Sequence, residues 1–184
     1  MNRIAVLALV AALAASALSS ASAHSEEQML LKPPKGYKVV ASSTTDTAST
    51  SVMVPEGQSV ANWTEKLTTQ VLHKQADQSP ADFRARAEKA AAAQCPGASF
   101  EKLKDGTENL YPMVSWTEKC PSAKDSGKPE LTWSKAVQGR ENFYLLQKAH
   151  RFEPNAKQLK ALTSLFDAAK VCDTRVPGQR CKQK

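Results

Sequence analysis

Short stretches that alternate apolar and polar residues recur along most of the chain, and turn-forming Gly, Pro, Asn and Asp residues separate them. A period of two is typical of strands, because successive side chains in a strand point to opposite faces of the sheet. The stretch 143–146 is apolar at every position, which predicts a central strand that is covered on both faces. Six strands are predicted in this way, at 36–40, 47–54, 99–103, 110–120, 131–138 and 142–152.

Apolar residues at helical spacing predict three helices. In the first, four apolar residues recur on one helical face, namely Val60, Trp63, Leu67 and Val71. Asn62 and Glu65 have the spacing of a capping box, in which two side chains satisfy free amide groups at a helix start, and a serine three residues before Asn62 is the alternative cap. A tryptophan on the apolar stripe of such a helix usually packs into the core. The alternative is that Trp63 is a platform for a ligand.

The second helix has the clearest start. Ser79 is a suitable cap, Pro80 occupies the first position, where a missing amide does no harm, and Asp82 lies in the first turn. This helix is expected to run to about Gln94, where a Cys-Pro-Gly sequence ends it. A third helix starts near residues 153–155, and its apolar stripe consists of Leu159, Leu162, Leu165, Phe166 and Ala169.

The predicted order of elements is β-β-α-α-β-β-β-β-α. Runs of strands next to runs of helices, without regular β-α-β alternation, define an α+β fold with an antiparallel sheet. We therefore expect about six antiparallel strands flanked by three helices.

The first 23 residues have the parts of a secretory signal peptide, namely a basic residue, Arg3, then an apolar run and a small-residue exit. The A-x-A sequence at the end of this segment predicts cleavage after Ala23, and cleavage after Ala21 is the alternative. Residues 24–184 are then expected to form a single domain. No later stretch reaches the ~18 apolar residues of a membrane span. We therefore expect a periplasmic or secreted protein that does not span the membrane.

Four cysteines lie in the exported part, where an oxidising compartment favours disulfides over free thiols or metal binding. The short spacings favour a bond between Cys95 and Cys120 and a second bond between Cys172 and Cys181. A redox role for Cys95 and Cys120 is the alternative, but neither residue belongs to the Cys-x-x-Cys motif that lowers a thiol pKa. The expected fold is therefore stapled by two structural disulfides.

Positive charge is concentrated at the C-terminus. The formal charge is +7, and removal of Arg3 with the signal peptide leaves +6. In the segment 170–184 five basic residues stand against one acid, which gives +4, and the tail is cross-linked from about residue 172. Such a tail suits binding to an anionic envelope component or an acidic protein, and export argues against nucleic acid as the partner. The alternative is that the tail only increases solubility. The residues predicted to contact the anionic partner are Arg175, Arg180, Lys182 and Lys184.

Catalytic and cofactor motifs are not recognisable in the sequence. The seven glycines are dispersed, no Gly-x-Ser-x-Gly sequence occurs, and there are only three histidines. His73 and His150 are interpreted as surface or boundary residues. Cleavage after Ala23 would make His24 the first residue, and an amino terminus with an imidazole can bind copper, with His73 or His150 completing the site. We expect no cofactor, and His24 is the metal-ligand candidate.

Six short sequences stand out along the mature chain. They are Pro55-Glu56-Gly57, Asn62-Trp63-Thr64-Glu65, Cys95-Pro96-Gly97, Gly106-Thr107-Glu108-Asn109, 143–151 and Val171-Cys172-Asp173. As a set they resemble a family of uncharacterised exported proteins of proteobacteria, and the family brings no activity with it. The predicted order of elements is also similar to the PsbP-like fold of the extrinsic photosystem II subunit and its bacterial periplasmic relatives. That similarity implies a binding or assembly role by analogy.

These observations together favour a non-enzymatic binding or assembly protein. The alternative is an envelope hydrolase or a copper-binding protein whose site is dispersed in the sequence. A sizeable concave pocket with converging polar groups would support the alternative, whereas a small groove or a flat surface would support a binding role.

Overall fold

The computed structural model describes residues 26–124, 126–177, 179 and 181. Its elements are, in chain order, β1 (Glu27–Leu30), β2 (Tyr37–Thr44), β3 (Ala48–Pro55), β4 (Glu65–Leu72), α1 (Pro80–Gln94), β5 (Ser99–Glu108), β6 (Tyr111–Cys120), β7 (Glu130–Gln138), β8 (Phe143–His150), α2 (Ala156–Ala168) and β9 (Lys170–Asp173). The predicted signal peptide lies outside the described residues. Within them, neither helix is long and apolar enough to cross a membrane.

Seven strands form one antiparallel sheet in the spatial order β2-β3-β4-β8-β7-β6-β5, and β1 pairs with β9 in a separate two-stranded sheet. The central strand β8 shows how the layers are arranged, because its side chains alternate between the two faces. Phe143 and Leu145 pack against α1 on one face. Tyr144 and Leu146 pack on the other face against residues of α2, β1 and β9. The main sheet is therefore covered on both sides, as the apolar stretch 143–146 predicted.

The predicted α+β class with a large antiparallel sheet is confirmed, but the predicted number of elements is wrong. The described residues contain two helices rather than three, and the main sheet has seven strands rather than six. The helix that begins after Ser79 is confirmed: the Ser79 side chain accepts a hydrogen bond from Asp82 N, and Pro80 occupies the first turn. The last helix is confirmed too, with Asn155 and Gln158 forming its capping box.

The segment that was predicted as the first helix is the strand β4. It pairs with β3 on one side and with β8 on the other. Leu67 and Val71 are four residues apart, and this spacing places two side chains on the same face both in a helix and in a strand. The pattern therefore did not distinguish the two structures, and the β-branched content of Thr68, Thr69 and Val71 favours the strand.

Trp63 is buried, as expected, but not on the predicted stripe. It precedes β4 and packs with Val54 and Ala149, on the side of the main sheet that α1 covers. Leu67 lies on the other side, where it packs with Leu146. The predicted capping box at the start of that helix is therefore wrong as well, since Glu65 begins a strand.

The two-stranded sheet was not predicted. β1 lies in a segment for which neither a strand nor a helix was predicted, and β9 follows α2 directly. The two strands have four residues each and pair in the register Glu27 with Asp173 and Leu30 with Lys170. Strands this short have no detectable alternation, and their pairing joins opposite ends of the described chain.

Both predicted disulfides are present. Cys95, at the end of α1, is bonded to Cys120, at the end of β6, and Cys172 in β9 is bonded to Cys181. No free cysteine occurs among the residues that the structure describes. The first bond ties the helix that covers one face to a strand of the sheet beneath it. The second bond joins β9 of the small sheet to the chain that follows it.

Removal of the first disulfide is expected to cost more stability than removal of the second. The two bonds close loops with sequence separations of 25 and 9 residues. The loop-entropy model then gives ~3.5 and ~2.6 kcal/mol. The test compares the Cys95→Ser/Cys120→Ser and Cys172→Ser/Cys181→Ser variants by urea unfolding. If the second variant loses as much stability as the first or more, the contribution of the small sheet, rather than loop entropy, determines which disulfide stabilises the protein more.

Candidate ligand-binding groove

A groove of about 420 Å³ lies between the segment that contains β1 and the edge of the main sheet at which β3 begins and β4 ends. Its walls are mainly apolar. Met29, Leu31 and Pro33 line it from the β1 side, and Met53 and Val71 line it from the main sheet. Such a combination of concave shape and apolar walls is typical of ligand sites.

The alternation of β3 and β4 produces the main-sheet wall of the groove. Ser49 lies opposite Val71, and Met53 lies opposite Leu67, so these side chains share one face. Residues of α2 cover this face at the Leu67 end, where Leu165 and Phe166 pack. At the other end Ser49 and Val71 are only half-buried and line the groove.

The position of β1 is fixed by a buried carboxylate. Glu27 is 1% exposed, and its side chain accepts hydrogen bonds from the backbone amides of the turn between β7 and β8, at 2.6 Å from Arg140 N and 3.2 Å from Asn142 N. The Tyr144 hydroxyl donates to the same carboxylate at 3.1 Å. A side chain on Gly139 would collide with this carboxylate and would lie 2.6 Å from the Asn142 carbonyl oxygen. The turn therefore needs glycine at this position to receive Glu27.

A serine and a histidine lie at one end of the groove. Ser49 Oγ and His73 Nε2 are 2.9 Å apart, and the His73 backbone amide donates to the Thr47 carbonyl at 2.8 Å. His73 is half-buried after β4, in agreement with its interpretation as a boundary residue. A nucleophilic triad also needs a third group that orients the histidine. Within the described ranges no carboxylate is hydrogen-bonded to this ring.

A second polar cluster lies at the opposite end of β4, around its first residue, Glu65. Lys148 Nζ donates to Glu65 Oε2 at 2.6 Å and to the Tyr37 hydroxyl, which itself donates to Glu65 Oε2 at 2.5 Å. Burial lowers the pKa of Lys148. Burial alone would raise the pKa of Glu65, but hydrogen bonds from Lys148 and Tyr37 outweigh it and lower that pKa. The cluster joins β2, β4 and β8 through one carboxylate.

His150 belongs to this cluster and corrects an expectation. It was interpreted as a surface or boundary residue, but it is 3% exposed. Its Nε2 lies 3.7 Å from Glu65 Oε2, and its ring packs edge-on against Trp133 and Phe152. Burial, followed by the charge of Lys148, lowers the pKa of His150 to about 4. The ring is therefore neutral at neutral pH and contributes packing rather than charge.

A third buried charge, Lys135, stabilises the end of α2. Its Nζ donates to the carbonyl oxygens of Phe166 at 2.9 Å and Ala169 at 2.7 Å and to the Glu108 carboxylate. These carbonyls belong to the last turn of α2, where a helix leaves its carbonyl groups without internal partners. A smaller apolar cavity of about 200 Å³ adjoins this lysine. Since three acceptors already surround Nζ, Lys135 has a structural role.

The tail residues that were predicted to contact an anionic partner are only partly described. Arg175 is engaged by three carboxylates, at 2.8 Å from Asp173, 2.8 Å from Glu26 and 2.5 Å from Glu141. Its charge is thus compensated within the chain. Arg180, Lys182 and Lys184 lie outside the described residues, and for them the contact stays a prediction.

The metal-ligand candidate His24 also lies outside the described residues. Within those that are described, no group of three or more His, Cys, Asp or Glu side chains is arranged to hold a metal ion. His73 and His150, which were considered as further copper ligands, lie at opposite ends of β4: His73 follows the strand, and His150 pairs with its first residue, Glu65.

No family model matches the chain, and no curated protein matches it. Among solved structures, the chain is similar to cyanobacterial PsbP (CyanoP) from Synechocystis, at 12% sequence identity and a TM-score of 0.48, with 80% of this chain and 91% of that chain covered. It is also similar to LpqN, involved in cell envelope biogenesis of Mycobacterium tuberculosis, at 12% identity and a TM-score of 0.43, with 79% and 83% covered. The proteobacterial family that the sequence resembles stays a prediction.

Sequence reasoning missed both the groove and the buried cluster. Glu65 was interpreted as a helix cap, and Tyr37 and Lys148 were ordinary strand residues. Lys148 and His150 occupy alternate positions of the mainly apolar strand β8, and this is the one signal that could have indicated buried charge.

Proposed function

We propose that this protein is an exported, non-enzymatic binding protein that holds its ligand in the groove between β1 and the strands β3 and β4. The observation that carries the proposal is the groove itself, in which apolar walls surround a few polar groups such as those of Ser49 and His73. The two disulfides support export, because such bonds persist in oxidising compartments.

The composition of the walls suits a ligand with a substantial apolar part. Met29 and Met53 face the groove from opposite sides. Methionine is flexible and polarisable, so it adapts to ligands of different shape. The polar groups at the Ser49 end would then fix the orientation of the ligand rather than supply most of its affinity.

The basic tail is proposed as a separate contact with an anionic envelope component or an acidic protein. Because Arg175 is paired with carboxylates in the chain, this contact is assigned to Arg180, Lys182 and Lys184. Such contacts are screened by salt, since the Debye length falls from ~10 Å at 0.1 M salt to ~3 Å at 1 M. Retention on vesicles that contain phosphatidylglycerol, at low and at high salt, measures it.

A tryptophan placed in the groove should block the site. Thr69 lines the groove, and its neighbour Thr68 points to the opposite face of β4. Nile red, a neutral apolar dye, serves as the probe in fluorescence titrations. Thr69→Trp is expected to weaken dye binding about tenfold or more, which corresponds to a loss of ~1.4 kcal/mol.

The matched control is Thr68→Trp, which makes the same chemical change on the other face of the strand. Its affinity for the dye is expected to stay within about twofold of the wild type, since a change of that size is below ~0.5 kcal/mol. Near-ultraviolet circular dichroism of both variants checks that they are folded. Equal binding by the wild type and Thr69→Trp would rule out the groove as the site.

A further inference from the structure

The register of the small sheet determines which main-chain groups of β1 are available. In an antiparallel pair, opposite residues alternate between hydrogen-bonded and non-hydrogen-bonded pairs. Thr174 N donates to Glu26 O at 2.9 Å, so this pair is hydrogen-bonded. The next pairs along the register therefore alternate, and Glu27 and Met29 direct their N–H and C=O groups away from β9.

These outward groups lie on the groove side of β1. Residues of β1 line the groove, including Glu27 and Met29, whereas the lining contains no residue of β9. The carbonyl of Glu27 accepts a hydrogen bond at 3.1 Å from the hydroxyl of Tyr144, which also lines the groove. The N–H and C=O of Met29 have no hydrogen-bond partner within the described part of the chain. The N–H donor and the C=O acceptor of Met29 thus lie on a free strand edge and face the apolar wall of the groove.

The edge of β1 differs from the two edges of the main sheet. The edge strand β2 is interrupted by a bulge between Val39 and Ala41, and the edge strand β5 by a bulge between Lys102 and Lys104. Bulges bend an edge and oppose the addition of a further strand. β1 pairs with β9 without a shift of register. Of these three edges, only that of β1 is regular, and it lies beside a groove.

We propose that the groove binds an extended peptide, which adds to the free edge of β1 as a third strand of the small sheet. The peptide exchanges two hydrogen bonds with the main chain of Met29, and every second side chain packs on Met53 and Val71. This inference rests on the proposed function and names the class of ligand. A small apolar molecule would cover the same wall but leave the donor and acceptor of Met29 without partners, which is unfavourable once water is displaced.

Selection from a phage-displayed library of random octapeptides supplies the probes. Peptides are selected on the wild type, counter-selected on Thr69→Trp, and then synthesised for titration. Enrichment of sequences that alternate apolar and polar residues is expected, because an added strand presents every second side chain to the groove. If no peptide prefers the wild type while Nile red still does, the groove binds small molecules and the peptide inference is wrong. If the dye shows no preference either, the proposed function has failed.

Two substitutions of Met29 test the main-chain contact. Met29→Ala and Met29→Pro both remove the side chain, but only proline removes the N–H that points into the groove; the hydrogen bonds to β9 are kept. Met29→Pro is expected to bind the selected peptides about fivefold more weakly than Met29→Ala, the effect of one net hydrogen bond. Equal affinities in two folded variants would overturn the proposal.

A test from the side of the peptide covers the case in which Met29→Pro does not fold. Each amide of a selected peptide is replaced in turn by an ester, which removes one N–H donor and leaves the protein unchanged. A loss of about fivefold is expected at the linkage opposite Met29 and little change at the two adjacent linkages, whose groups point away from β1. A uniform response along the peptide would show that its main chain does not pair with β1.

Discussion

Glu65→Gln is expected to destabilise the folded protein by about 3–5 kcal/mol at neutral pH, the usual cost of removing one partner from a buried ion pair. The side chain of Lys148 is 5% exposed, and Glu65 is its carboxylate partner at 2.6 Å. Glutamine keeps the size of the side chain but not its charge, so the ammonium of Lys148 would stay buried without compensation. Urea unfolding monitored by tryptophan fluorescence measures the loss.

The pH dependence of the stability of Glu65→Gln tests whether the buried charge of Lys148 causes the loss of stability. Burial lowers the pKa of Lys148 in the folded protein, and without Glu65 nothing in the pair opposes that effect. Between this lowered pKa and the ordinary value of ~10.4, the unfolded state binds more protons than the folded state. The stability of Glu65→Gln should therefore rise as the pH is raised from neutral through this window.

Two further variants control the result. In Glu65→Gln/Lys148→Met both charges are removed, and most of the lost stability is expected to return, since no buried charge is then left without a partner. Glu56→Gln changes an exposed carboxylate and should alter stability by less than ~0.5 kcal/mol. If the double variant is no more stable than Glu65→Gln, the ion pair is not the reason for the loss.

Trp63→Ala is expected to destabilise the protein by ~3–5 kcal/mol, as a large-to-small substitution in the core. Trp63 is 4% exposed and packs with Val54 and Ala149. The cations of Lys66 and Arg151 lie 4.2 Å and 3.9 Å from its ring centroid, so truncation also removes two cation–π contacts. Urea unfolding of the variant measures the loss.

The control for Trp63→Ala uses a residue that the helical interpretation placed beside it. Val60 would share the apolar stripe of a helix with Trp63, yet in the structure it is 52% exposed. Val60→Ala should therefore change stability by less than ~0.5 kcal/mol. A stable, folded Trp63→Ala that has lost only ligand binding would instead support the alternative in which Trp63 is a platform for a ligand.

Local signals in the sequence were sufficient for several elements. The start of α1 follows from Ser79, Pro80 and Asp82, because capping depends on residues that are adjacent in the chain. The central position of β8 follows from its apolar sequence, since only a strand covered on both faces tolerates it. The disulfide pairing was also predictable, because short separations bring cysteines together.

Features that depend on distant residues were not predictable. β4 resembled a helix because a spacing of four residues fits both structures, and its neighbours β3 and β8 decide between them. The buried cluster combines Tyr37, Glu65 and Lys148, which no spacing in the sequence connects. The groove likewise exists only because β1 is held against a turn more than a hundred residues away by Glu27.

The pairing of β1 with β9 has a consequence for the order in which the protein folds. A chain is synthesised from its N-terminus, so β1 is available long before its partner β9. Contacts between distant segments form slowly, because loop-closure entropy opposes them. The main sheet can assemble while β1 has no partner, and the wall of the groove is completed only when β9 arrives. The proposed ligand site is therefore completed only after β9 has been made, and a shorter chain has no finished groove.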